Sequence, residues 1–236
     1  MTKFASLIFI AGLAFFLMVV TGFLPIGHSP MLVGNAILDS AKEQVGAANV
    51  VTSVVLAYRG LDTLGELSIL FAAASAVGLV LTKSSFNKSS KNPTNIDESD
   101  SGFVAINGID LIFPLLLVVG MYIISHGHLT PGGGFQGGVV LAIAFAMRSI
   151  VRPRGKSIDH GVVTFIEAFA GLSFIVIGLV ALSTQGHFLQ PMLDQGHFGS
   201  LWSAGTIPLL YLAVGLKVGA ELAGLILALN TDEVNI

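Results

Sequence analysis

The chain of 236 residues contains no cysteine. That excludes disulfides, thiolate zinc sites and cysteine-ligated iron–sulfur clusters within it, so any electron transfer in an assembly containing it falls to other subunits. Charge is scarce as well. Asp, Glu, Lys and Arg make up 11% of the residues, against about 25% in an ordinary soluble domain. A net charge of −3 offers no basis for binding nucleic acid. There is no phosphate loop, nucleophile elbow or metalloprotease motif, and the glycines at 132–138 do not form a GxGxxG after a strand, so a dinucleotide site is rejected.

What remains is apolar: 53% of the residues are hydrophobic. A helix needs about 20 such residues to cross the hydrocarbon core. Six runs qualify, at about 4–24, 62–82, 104–125, 135–151, 162–183 and 204–229. The first, 21 uncharged residues after Lys3, is long for a signal-peptide core and lacks a small-residue cleavage site. It is read as a retained span. Residues 44–58 form a shorter uncharged run with Asn49, Thr52 and Ser53, expected to lie in the interface or lean into the membrane; if it spans, every later orientation inverts.

Lysine and arginine orient the spans. With the N-terminus inside, the inner segments carry eight of them (Lys3, Lys83, Lys88, Lys91, Arg148, Arg152, Arg154, Lys156) and the outer side two, Lys42 and Arg59. This fits the positive-inside rule and places both termini in the cytoplasm. The stretch 83–102 is polar, Ser/Asn-rich and mixed in charge, a solvated linker between a two-span unit (1–82) and a four-span unit (103–236). The expected fold is an all-α membrane protein with about six transmembrane helices in a 2+4 arrangement.

Small residues recur every four positions at Gly134, Gly138, Ala142 and Ala146, and again at Gly215, Gly219 and along Ala220, Gly224, Ala228. Such stripes let helices approach closely in lipid. The string Gly127-His128-Leu129-Thr130-Pro131-Gly132-Gly133-Gly134-Phe135-Gln136-Gly137-Gly138 holds six glycines and a proline between two spans. Its backbone, with Pro131, Gly132, Gly133, Gly134, Gly137 and Gly138 setting its path, is expected to pack against a neighbouring chain.

Ionisable residues inside spans are the candidate functional groups, because each needs a partner or a wet cavity. Arg59, Asp62 and Glu66 share one helical face at i, i+3, i+7. Arg59 can neutralise Asp62, which leaves Glu66 one turn deeper without a local cation. Lys217 and Glu221, at i and i+4, can pair on the last span. Glu167 has no cation within a helical turn and lies near one end of its span. Asp110 reads as interfacial. His126, His128, His187 and His197 fall on one side of the membrane, but zinc-ligand spacings are absent, so no metal site is assigned and an outer-face metal enzyme is the weaker reading.

Two stretches resemble known families. The segment 121–138, Met-Tyr-Ile-Ile-Ser-His-Gly-His-Leu-Thr-Pro-Gly-Gly-Gly-Phe-Gln-Gly-Gly, resembles the signature of the MnhB/MrpB component of Mrp-type Na⁺/H⁺ antiporters, as does the Gly215–Leu222 ending. Upstream, Asn49-Val50-Val51 and Tyr58-Arg59-Gly60-Leu61-Asp62-Thr63-Leu64-Gly65-Glu66 are similar to the C-terminal end of MrpA, the large component of those antiporters, and to a small separate component of membrane-bound hydrogenases. Ala57 stands where that pattern has a carboxylate, and Leu61 where it has an aromatic.

The resemblance implies a subunit, without its own catalytic centre or cofactor, that helps form a cation pathway for Na⁺ and H⁺. Its implied partners are other Mrp-like membrane subunits in a hetero-oligomer within the plasma membrane, with no small-molecule substrate beyond cations. It points to a larger hydrogenase-like or ferredoxin-dependent pumping complex; a structural scaffold in a stand-alone antiporter is the alternative. The ion pathway is expected to use Asp62, Glu66, Glu167, Lys217 and Glu221.

Overall fold

The computed structural model describes residues 2–24, 31–87, 102–151 and 160–234. The helices are α1 (Thr2–Phe23), α2 (Leu32–Gln44), α3 (Val50–Thr52), α4 (Gly60–Asn87), α5 (Phe103–Ser125), α6 (Gly134–Val151), α7 (His160–Gln185) and α8 (Ile207–Val234), with a π-helical segment, Ser53–Tyr58, running on from α3. Six of them carry segments long and apolar enough to cross a bilayer: Ser6–Phe23, Gly60–Val80, Phe103–Ser125, Gly134–Val151, Gly161–Gln185 and Ile207–Leu229. Each lies within a few residues of a run read from the sequence. The chain is an all-α membrane protein.

The chain divides into two compact units, Met1–Leu38 and Asp39–Ile236. The sequence boundaries at 82 and 103 mark changes of composition. The linker 83–102 lies mostly outside the described residues; its first part, through Asn87, continues α4. In the first unit, α1 carries exposed apolar side chains from Phe4 to Phe23, as suits a helix whose solvent is lipid.

In the second unit α8 is the hub, packing against α4, α5, α6 and α7. Small residues make this possible. A Cβ on Gly138 would lie 2.8 Å from the Gly215 carbonyl oxygen and 2.9 Å from Val218 Cβ; one on Gly134 would lie 2.7 Å from Val214 Cβ. The every-fourth-residue stripe of α6 therefore forms a seam with α8 of the same chain. The sequence reading placed this glycine string against a neighbouring chain. The structure instead shows Gly133, Gly134, Gly137 and Gly138 buried within it.

Residues 44–58 contribute no span among the described residues. They form a bracket over the turn between α5 and α6. Asn49 caps α3 by accepting from Val51 N at 3.1 Å, and its Nδ2 donates to the Gly127 and Thr130 carbonyls at 2.9 and 3.0 Å. Its backbone N–H donates to His128 O at 3.0 Å. Thr52 Oγ1 donates to Gly127 O at 2.8 Å and lies 2.6 Å from the Tyr211 hydroxyl on α8. Gly133, at φ 146°, takes a conformation side chains rarely adopt, and a Cβ there would strike the Tyr211 ring at 2.8 Å. Asn49→Ala removes a helix cap and two bonds to the turn; we expect a loss of about 2 kcal/mol, read as a lower unfolding temperature of the purified protein.

Candidate functional site: a buried Glu–Lys–Glu triad

Midway along the Ile207–Leu229 segment of α8, Lys217 is 8% exposed and Glu221 3% exposed. The Lys217 ammonium donates to Glu221 Oε2 at 3.1 Å, as the i, i+4 spacing suggests, and to Glu167 Oε1 on α7 at 3.2 Å. The sequence left Glu167 without a partner, because its cation lies on another helix. The third side of the ammonium faces the Phe71 ring of α4, 5.0 Å from its centroid. Gly171 makes room for the lysine stem: a Cβ there would lie 3.1 Å from Lys217 Cδ. Three helices thus converge on one cation at the depth where an unpaired charge is most costly.

The two carboxylates are not equivalent. Glu167 lines a 400 Å³ cavity with Ser68, Phe71, Thr164 and Lys217. Glu221 does not line it. Its Oε1 is buried and has no hydrogen-bond partner among the described residues.

The other sequence candidates lie elsewhere. Arg59 and Asp62 form the expected ion pair at the start of α4, with both side chains more than half exposed (68% and 54%). They line a 580 Å³ cavity with Gln44, Tyr58, His187 and Gln190. Glu66 follows on the same face of α4, exposed, its side chain making no ion pair or hydrogen bond to the described residues. On this chain alone, Asp62 and Glu66 line an open surface, while Glu167, Lys217 and Glu221 form a closed cluster. Pro131 is exposed at the turn and Gly132, at φ 155°, follows it.

The π-helical segment leads directly into this surface. Thr63 Oγ1 donates to Val55 O at 2.6 Å, and Arg59 N to Val54 O at 2.8 Å, so carbonyls displaced by the wider turn keep donors. Such single π turns often occur at functional positions. Nothing in the hydrophobic period of 50–58 distinguishes it from an α turn.

His128 was also missed as a buried group. It is fully buried, with Nε2 3.4 Å from Ser200 O and Nδ1 unpartnered among the described residues. Burial holds its pKa below the ordinary 6.5, and nearby His126 adds to the effect; the Ser200 and Leu201 carbonyls oppose it. The folded state therefore binds fewer protons here than the unfolded state below 6.5, and stability falls as pH drops through that value. Thermal unfolding at pH 7.5 and 5.5 is expected to show a smaller acid penalty for His128→Gln than for the native chain. Among the described residues no group of three or more histidines and carboxylates gathers in a metal-binding arrangement.

Residues 104–224 match the family model described as a domain related to the MnhB subunit of Na⁺/H⁺ antiporter. The chain is 31% identical over 206 residues to an uncharacterized protein of Methanocaldococcus jannaschii, covering 79% of this chain and 78% of that one. It is 26% identical over 137 residues to the A/B subunit of a probable K⁺/H⁺ antiporter of Rhizobium meliloti, matching 50% of this chain but 14% of that protein. Among solved structures, a chain of the membrane-bound sulfane sulfur reductase, an archaeal respiratory membrane complex, superposes with a TM-score of 0.83 at 34% identity over 97% of both chains. A chain of the Mrp complex from a Dietzia species gives 0.76 at 25% identity, over 96% of this chain and 25% of that one.

Proposed function

Because this chain belongs to the family of domains related to the MnhB subunit of Na⁺/H⁺ antiporters, we propose that it helps form the cation pathway of an Mrp-type module and has no reaction centre of its own. The observation that carries this reading is the Glu167–Lys217–Glu221 cluster. Ionisable side chains are retained in apolar helices at an energetic cost, and such groups mark ion and proton routes. The open surface bearing Asp62 and Glu66 is the face we assign to neighbouring subunits. Polar groups from those subunits would complete the route there, with Na⁺ and H⁺ as the transported ions.

The match to one chain of a respiratory membrane complex, over 97% of both chains, supports a place in a redox-driven pump, where other subunits handle electrons. The excess of lysine and arginine on one side in the sequence supports cytoplasmic termini. A scaffold role would use the same triad as a clamp between α7 and α8.

Deletion of the gene and its replacement test the reading. Native membrane vesicles from the deletion strain are expected to lose Na⁺-driven proton movement and to regain it with the native chain. An assembled complex that lacks this subunit yet transports at the native rate would remove it from the pathway.

A further inference from the structure

The geometry points to the triad being a proton relay that excludes sodium: Glu221 holds an exchangeable proton on its sealed oxygen, Lys217 passes it, and Glu167 exchanges it with the α4–α7 cavity. This rests on the pathway role proposed above and assigns the ion handled at one site within it.

Charge balance is the first argument. Two carboxylates and one ammonium leave one negative charge in excess, and among the described residues Lys217 is the cation paired with either carboxylate. A single bound proton cancels it. The two carboxylates compete for that proton on unequal terms. Glu167 lines a 400 Å³ cavity whose otherwise mostly apolar wall includes the hydroxyl residues Ser68 and Thr164. Glu221 is 3% exposed, and its Oε1 has no donor among the described residues. An unpartnered oxygen is far better tolerated on a neutral carboxyl than on a carboxylate.

Sodium is excluded by what already stands between the carboxylates. The Lys217 ammonium lies 3.2 Å from Glu167 Oε1 and 3.1 Å from Glu221 Oε2, with the Phe71 ring on its third side. A hard cation wants oxygen ligands around it. Here it would have to displace the ammonium and then face ring carbons.

The transfer balances. Lys217 releases one N–H proton to Glu167, giving a neutral amine and a neutral carboxyl. A half-turn of the Glu221 carboxyl about its soft terminal torsion brings the O–H toward the amine. The amine takes that proton and becomes the ammonium again, leaving Glu221 as carboxylate. One proton has moved from the sealed Glu221 oxygen to Glu167 at the cavity wall, with no net change in the charge of the triad; the same steps in reverse, from a proton that Glu167 takes up at the cavity, reload Glu221.

Infrared spectroscopy of the purified complex tests the assignment. The native complex at neutral pH is expected to show a protonated-carboxyl C=O band that persists when Na⁺ is replaced by choline, disappears in Glu221→Gln and remains in Glu66→Gln. Lys217→Arg provides a second readout, because a guanidinium keeps the ion pairs but does not surrender a proton. Assembled Lys217→Arg complex is expected to lose proton movement by about a hundredfold. Absence of the band, or its dependence on Na⁺, overturns the relay, even if Glu221→Gln abolishes transport and so upholds the pathway reading. Native transport in Lys217→Arg also overturns the relay. Native transport in Glu167→Gln and Glu221→Gln alike, with the band present, sinks the pathway reading along with it.

Discussion

Lys217→Ala will destabilise the protein by about 3–5 kcal/mol, the usual cost of leaving a buried charge without its partner. The ammonium is the shared donor for Glu167 and Glu221, so its removal leaves the Glu167 carboxylate without its cation and Glu221 Oε2 without its donor, on two helices at once. It also removes the cation beneath Phe71, and with it a group that joins α4, α7 and α8. The effect should appear as a large drop in the thermal unfolding temperature of the purified protein. A second change, Glu167→Gln, in the same chain should recover part of the loss, because it removes the carboxylate left without its cation. If Lys217→Ala alone unfolds like the native chain, the cluster is not a closed ion pair.

Gly138→Val is expected to have the next largest effect. Overpacking in a tight core costs about 1–3 kcal/mol and occasionally more. This position belongs at the upper end, because the first obstacle to a new Cβ is backbone: the Gly215 carbonyl at 2.8 Å and Gly219 N at 3.1 Å. Side chains can rotate away from such a collision, but two helix backbones must separate. Gly65→Ala provides the control. No atom lies within 4 Å of a Cβ there, and alanine in a helix is favoured over glycine by about 1 kcal/mol. Gly138→Val should lower the unfolding temperature or the yield of folded protein sharply, while Gly65→Ala leaves both unchanged or raises them.

Much of the fold could be read from the chain because lipid imposes a simple rule: long apolar runs become helices. Each of the six spans lies within a few residues of its run. The Lys217–Glu221 pair was legible too, since both residues sit on one helix face at i, i+4. The stripe through Gly134, Gly138 and Ala142 identified a close seam but not its partner, because a small-residue face is equally suited to α8 and to another chain.

The features that escaped the sequence are contacts between distant segments. Glu167 meets Lys217 across 50 positions, and Asn49 reaches Gly127 and Thr130 across 78 and 81. Helical periodicity reports only which residues share a face of their own helix. The π turn at Ser53–Tyr58 leaves no mark in an apolar run, and the burial of His128 depends on a loop around Ser200, 72 positions later in the chain. For Asp62 and Glu66, position on one face was legible, but exposure was not. That face is open on the isolated chain, so its role lies with whatever neighbour covers it.

The most direct test of the pathway is Na⁺-driven proton movement in sealed vesicles holding the full complex with Glu167→Gln. Glutamine keeps the shape and a hydrogen bond to Lys217 but cannot take up a proton as a carboxylate does. A fully assembled Glu167→Gln complex should retain about one-hundredth of the native rate or less, as expected when a proton-transfer group is lost. A rate equal to native, with assembly intact, would contradict the account and leave the triad as a clamp between helices.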